Sequence, residues 1–173
     1  MRDDEGRPLP PWSGGEAETA LGFLEFLRAT LEWKTAGLGA AQLAQHHPPS
    51  TMTLGGMLKH LAFVEDWWFS HTFLGRSAEE PWAGVDWKVD PDWDWHSAAE
   101  QQPDELRALW RAAVDRSRSV TAASELDALA ASPLRNGERV SLRWIVLHMI
   151  EEYARHCGHA DLLREAVDGL TGE

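Results

Sequence analysis

The chain has a single cysteine, Cys157. No disulfide can close within it, and a cysteine-built zinc site is excluded, so any metal must be held by His, Asp or Glu. Basic residues are also scarce. Sixteen Lys and Arg stand against 28 Asp and Glu, a formal charge of −12. A surface that acidic repels phosphate backbones, and no basic run offsets it, so a nucleic-acid partner is not expected. No apolar run approaches the ~20 residues of a membrane span, so a membrane partner is not expected either. The opening MRDDEGRPLPPWSGG lacks the apolar stretch of a secretory signal, and with the lone cysteine this predicts a cytoplasmic protein. Runs alternating apolar and polar residues are absent as well, which argues against a β fold.

What is present suits one globular domain over residues 1–173, with 1–13 as a loose N-terminal arm: the length allows a single sizeable core and 43% of the residues are apolar. Four helices are predicted. The first runs from Glu16 to about Gly37, with Ala20, Phe23, Leu24, Leu27 and Leu31 at helical spacing. The second runs from about Thr53 to Leu74, stopped by Gly75, and the third from Pro103 to Ala123, with Asp104 and Glu105 suiting its N-terminal dipole. The fourth follows Ser141, a good N-cap, and reaches about Val167. Four amphipathic helices of this length predict an all-α four-helix bundle with a long crossover. Asn136-Gly137 marks a tight turn in the connector before the last helix.

Ten tryptophans are many for this length. Trp33, Trp67, Trp68, Trp110 and Trp144 fall within helical patterns and are expected in the core. Trp82, Trp87, Trp93 and Trp95 crowd a long loop, 76–97, between helices 2 and 3. A loop of that length with that composition is expected to be functional, covering something.

The residues that carry chemistry lie on helix 4, in HMIEEYARHCGHADLLRE. At about 100° per residue His148, Glu152, His156 and His159 fall within an arc of roughly 80° and border the apolar face. On helix 2, His60 shares the direction of Met57, Val64, Trp67 and Trp68, and an imidazole on an apolar face is costly without a partner. An i,i+4 pair rises about 6 Å and can converge on one ion, whereas His148 and His156 stand about 12 Å apart and cannot. Helix 4 can therefore offer 148/152, 152/156 or 156/159, and spacing does not choose among them. A buried His–Glu hydrogen-bond network is the competing reading.

TLGGMLKHLAFVE (53–65) and SLRWIVLHMIEEYARHCGHADLLREAVDG (141–169) resemble the DinB-like superfamily of metalloenzymes. The likeness is closest to its actinobacterial branch related to mycothiol-dependent maleylpyruvate isomerase. LEWKTAGL in helix 1 and the Trp-rich middle are similar too. The resemblance implies a four-helix bundle in an up-down-down-up arrangement. It implies a divalent ion held by His60, Glu152 and His156, with Glu152 standing where much of the superfamily has His, and it leaves His148 and His159 as alternative or supporting groups. Zinc is the expected ion, with nickel or iron as options; two His and a carboxylate leave one position open, as in catalytic sites.

The implied function is a metal-dependent transferase or isomerase that uses a low-molecular-weight thiol such as mycothiol against an electrophilic substrate. Metal-dependent hydrolysis and a non-catalytic, metal-stabilised stress or binding protein are the alternatives. Arg155 and Trp67 are candidates to contact thiol or substrate. Arg143 and Arg164 could meet a carboxylate or hydroxyl, although pairing with neighbouring acids accounts for all three arginines. Cys157 points to the core and is read as packing, with a reactive thiol as the lesser alternative. A homodimer is expected to cover exposed Trp and Leu.

Overall fold

The computed structural model describes residues 1–172. Among these residues there are six α-helices and no strand, so the chain is all-α. They are α1 (Glu16–Thr35), α2 (Ala40–Leu43), α3 (Leu54–Glu65), α4 (Trp93–His96), α5 (Pro103–Ala123) and α6 (Leu142–Asp168). None of the helices is long and apolar enough to cross a membrane.

The chain divides into two compact units, residues 1–54 with 146–173 and residues 55–145. In the first, α1 and α6 lie side by side. Cys157 Sγ donates to the Leu27 carbonyl at 3.5 Å, Lys34 Nζ meets Asp161 at 2.7 Å, and Arg164 Nη1 donates to the carbonyls of Lys34 and Ala36 at 3.0 and 2.9 Å. The paired positions ascend together on both helices, so the two run parallel. Leu24, Leu31, Met149, Tyr153 and Ala160 are fully buried; each large apolar side chain stabilises the unit by about 1.5–3 kcal/mol. Arg164 closes the end of α1 by satisfying carbonyls left without intrahelical donors, while Asp168 holds its other edge at 2.8 and 3.0 Å. The segment before α1 is fixed to it through Arg7, which donates to Thr30 Oγ1 at 3.0 Å and lies over the rings of Phe26 and Trp33.

In the second unit, the helix predicted over 53–74 changes character. It is α-helical to Glu65 and then a π-helix from Asp66 to Phe73, ending with the Leu74 amide donating to the Phe69 carbonyl. Each residue in an i→i+5 helix turns through less than 100°, so the α-helical face count fails here. Trp67, expected in the core, is 41% exposed and continues the half-buried line of His60 and Phe63 on α3, while Phe69 and Phe73 are buried. Trp144 is likewise 43% exposed, tilted against Trp68 with ring centroids 5.1 Å apart. Gly75 adopts φ +69°, a left-handed turn that only glycine takes without strain.

The Trp-rich stretch is partly helical: α4 and a 3-10 turn, Ser97–Glu100, occupy its end. It is anchored by Trp82, 5% exposed, whose Nε1 donates to Asp66 at 2.9 Å. Arg116 of α5 grips the same carboxylate through Nε and Nη2 at 2.9 and 2.8 Å. α5 begins with Pro103 in its first turn and buries Leu106, Trp110, Ala113, Val114 and Val120, the stripe its spacing predicts. Beyond α5, residues 128–142 fold back through a single bridge, Leu129 to Ser141, around Gly137 at φ +85°.

Candidate metal centre

On α6 the Glu152 carboxylate lies between two imidazoles, one turn to either side. Its Oε1 is 3.6 Å from His148 Nε2 and its Oε2 is 3.6 Å from His156 Nε2. That is too long for a hydrogen bond. It is close to the edge of a coordination tetrahedron, about 3.4 Å when metal–ligand bonds are 2.0–2.2 Å. The donor set and its spacing therefore fit a divalent ion, and both i,i+4 pairs meet the distance condition. Burial separates them. His156 is 7% exposed, whereas the His148 side chain is 21% exposed and its Nδ1 faces the exposed Glu151 at 3.3 Å. His148, Glu151 and Glu152 also form a metal-capable group at the more open end of the line.

His159 meets His156 edge to face, ring centroids 5.4 Å apart. Burial, with His156 and Arg155 nearby, holds its imidazole below the ordinary pKa. Arg155 is exposed and donates to Glu151 at 2.8 Å. Arg143 is paired with Asp127, and Arg164 is spent on Asp168 and the α1 carbonyls. Burial, reinforced by Asp161, pushes the Cys157 thiol up to about 12. It is therefore protonated at neutral pH and cannot serve as a nucleophile.

In the other unit, His60 is held from two sides by α4. Its Nδ1 lies 2.7 Å from Asp94 Oδ2, and its ring stacks on Trp95 at 4.7 Å and 26°. Asp94 is 3% exposed. Next to His60, the buried Lys59 places its ammonium 4.2 Å from the Trp93 ring centroid; burial lowers its pKa against the opposing pull of Glu100 and Asp94. One turn on, Phe63 stacks with Trp87 at 4.5 Å and meets Trp82 edge-on at 5.3 Å. Trp67 stacks with His71 at 4.4 Å and, with Phe63, Asp66, Ser70, Trp82 and Arg116, lines a cleft of about 70 Å³. The tryptophans of the 76–97 stretch thus lie along the His60–Phe63 face of α3.

Asp94 and Lys59 are invisible to a spacing argument. Asp94 is 34 residues from His60 and sits in the acidic, Trp-rich run expected to cover something, where spacing marks out no single carboxylate. The only signal was the need of a half-buried imidazole for a partner.

A model of a protein family described as mycothiol-S-transferase matches residues 19–169. Among curated proteins no match is found.

Proposed function

The chain belongs to the mycothiol-S-transferase family, and from that premise we propose that it is a metal-dependent transferase joining a low-molecular-weight thiol, mycothiol, to an electrophilic small molecule. The observation that carries the reading is the Glu152–His156 pair on α6. A carboxylate and a buried imidazole sit one turn apart at the separation of two ligands of one ion. The family resemblance supplies His60 as the third ligand and zinc as the ion. When bound, the ion would stabilise the thiol as thiolate, the nucleophilic form.

The remaining roles belong to the chain. Glu152 carries negative charge into a two-imidazole donor set and so lowers the net charge left to attract a second anion. Trp67 and its cleft offer aromatic walls to the flat or apolar part of the electrophile. Cys157 takes no part, since its thiol stays protonated; the attacking sulfur must come from outside. In the transfer a sulfur–carbon bond forms, the thiol proton is released, and the electrophile gives up its leaving group or takes the proton back.

Elemental analysis of purified protein, followed by calorimetric titration with mycothiol, tests this. The expected result is about one metal per chain, mycothiol binding in the wild type, and loss of both in His156→Ala. Metal without mycothiol binding would remove the thiol from the reading. No metal uptake after adding zinc would overturn the reading and leave a His–Glu network.

A further inference from the structure

A hydrogen-bond partner of the His60 imidazole lies in the Trp-rich stretch. Asp94 Oδ2 is 2.7 Å from His60 Nδ1. An ionised carboxylate only accepts hydrogen bonds, so Nδ1 must carry the hydrogen and donate it. In the neutral ring the lone pair then resides on Nε2. Free to choose, an imidazole exchanges tautomers and rotates; here the carboxylate fixes the tautomer, and the face of Trp95, 4.7 Å away at 26°, fixes the plane. Asp94 is itself immobilised. It is buried, it lies in the single turn of the short helix α4, and Trp93 beside it meets Trp82 and Trp87 edge-on at 6.2 and 6.3 Å.

We propose that Asp94 is the positioning residue for His60: it holds the imidazole as the Nδ1–H tautomer and presents Nε2 as a ligand, so that the Trp-rich stretch acts as the scaffold of a metal ligand. The inference rests on the metal reading above. Its geometry is that of metal-binding histidines generally, whose second nitrogen donates to a carboxylate that orients the ring and raises its basicity. It also gives the tryptophans a task. A carboxylate exposed to water would exchange partners, whereas Asp94, 3% exposed, is kept against His60.

The test uses the full-length chain with Asp94→Asn and Asp94→Ala. Asp94→Asn preserves volume should the alanine variant fail to fold. Two quantities are read. The first is the His60 tautomer in metal-free protein, from long-range proton–nitrogen NMR. The second is zinc affinity, from competition with a chromophoric chelator, with His156→Ala as the variant that removes a ligand. Wild type should show Nδ1–H, and Asp94→Ala should shift His60 towards Nε2–H. Zinc affinity should fall about 10- to 100-fold in the Asp94 variants. A role confined to folding would leave the tautomer of a folded variant unchanged. Wild-type zinc binding that is lost in His156→Ala but stays within about threefold in folded Asp94 variants, with an unchanged tautomer, overturns the positioning role and leaves the metal reading standing. A wild type that takes up no zinc overturns both.

Discussion

Replacing Trp82 by phenylalanine should loosen the Trp-rich stretch by a measurable and bounded amount. The indole is 5% exposed and donates to Asp66, whose side chain is 15% exposed. Phenylalanine keeps a ring against Phe63 and Trp93 but removes the N–H and part of the buried hydrocarbon. A hydrogen bond to a charged acceptor is worth about 1.5–3 kcal/mol. Asp66 keeps the bidentate grip of Arg116, which places the loss near the lower end of that range. The missing ring carbons add about 1–1.5 kcal/mol. The expected destabilisation is therefore about 3 kcal/mol, equivalent to a fall in Tm of roughly 6–12 °C for a chain of this size. Urea and thermal unfolding measure it, and hydrogen exchange over 76–102 should show the loss concentrated there. A coupling energy near 1 kcal/mol between Trp82→Phe and Asp66→Asn would assign it to the pair. A loss below about 0.5 kcal/mol would refute the claim that Trp82 anchors this stretch.

Other outcomes follow from the same contacts. In folded protein at about pH 8 the Cys157 thiol should resist aromatic disulfide reagents and react only after unfolding in urea. Prompt stoichiometric labelling of the native chain would contradict its burial. Cys157→Ala should leave mycothiol binding unchanged in titration. Hydrogen bonding to Arg164 holds Asp168 below its ordinary value of 3.8, so this pair contributes stability above about pH 4 and surrenders it as the pH falls through the lowered folded value. The gap between the urea midpoints of wild type and Asp168→Asn should narrow on acidification, and a gap independent of pH would contradict the linkage.

Much of the fold was legible because its signals are local. Apolar residues at i, i+3 and i+4 with Pro103 at the start of the helix gave α5 its bounds, and the same periodicity located α1 and α6. The line of His148, Glu152, His156 and His159 could be read because an α-helix converts sequence spacing directly into direction. The second predicted helix, over 53–74, kept its place but not its geometry. After Glu65 the backbone bonds shift to i→i+5, and face assignments based on 100° per residue drift through Phe73; Trp67 stands on the same half-exposed line as His60 and Phe63, which spacing could not tell from core.

By itself the sequence determined an all-α chain with ligand-type side chains on one helical line, and excluded a metal site built from several cysteines. Its resemblance also pointed to the family. Tertiary structure alone decided that Asp94 meets His60, that Trp82 and Arg116 share Asp66, that Arg164 is spent on the end of α1, and that the Cys157 thiol is sealed at a pKa of about 12. The physical division is one of range. Helical periodicity is fixed by bonds a few residues apart, whereas pairs separated by 34 or 130 residues exist only because the folded chain buries polar groups that must then find partners wherever the packing leaves them.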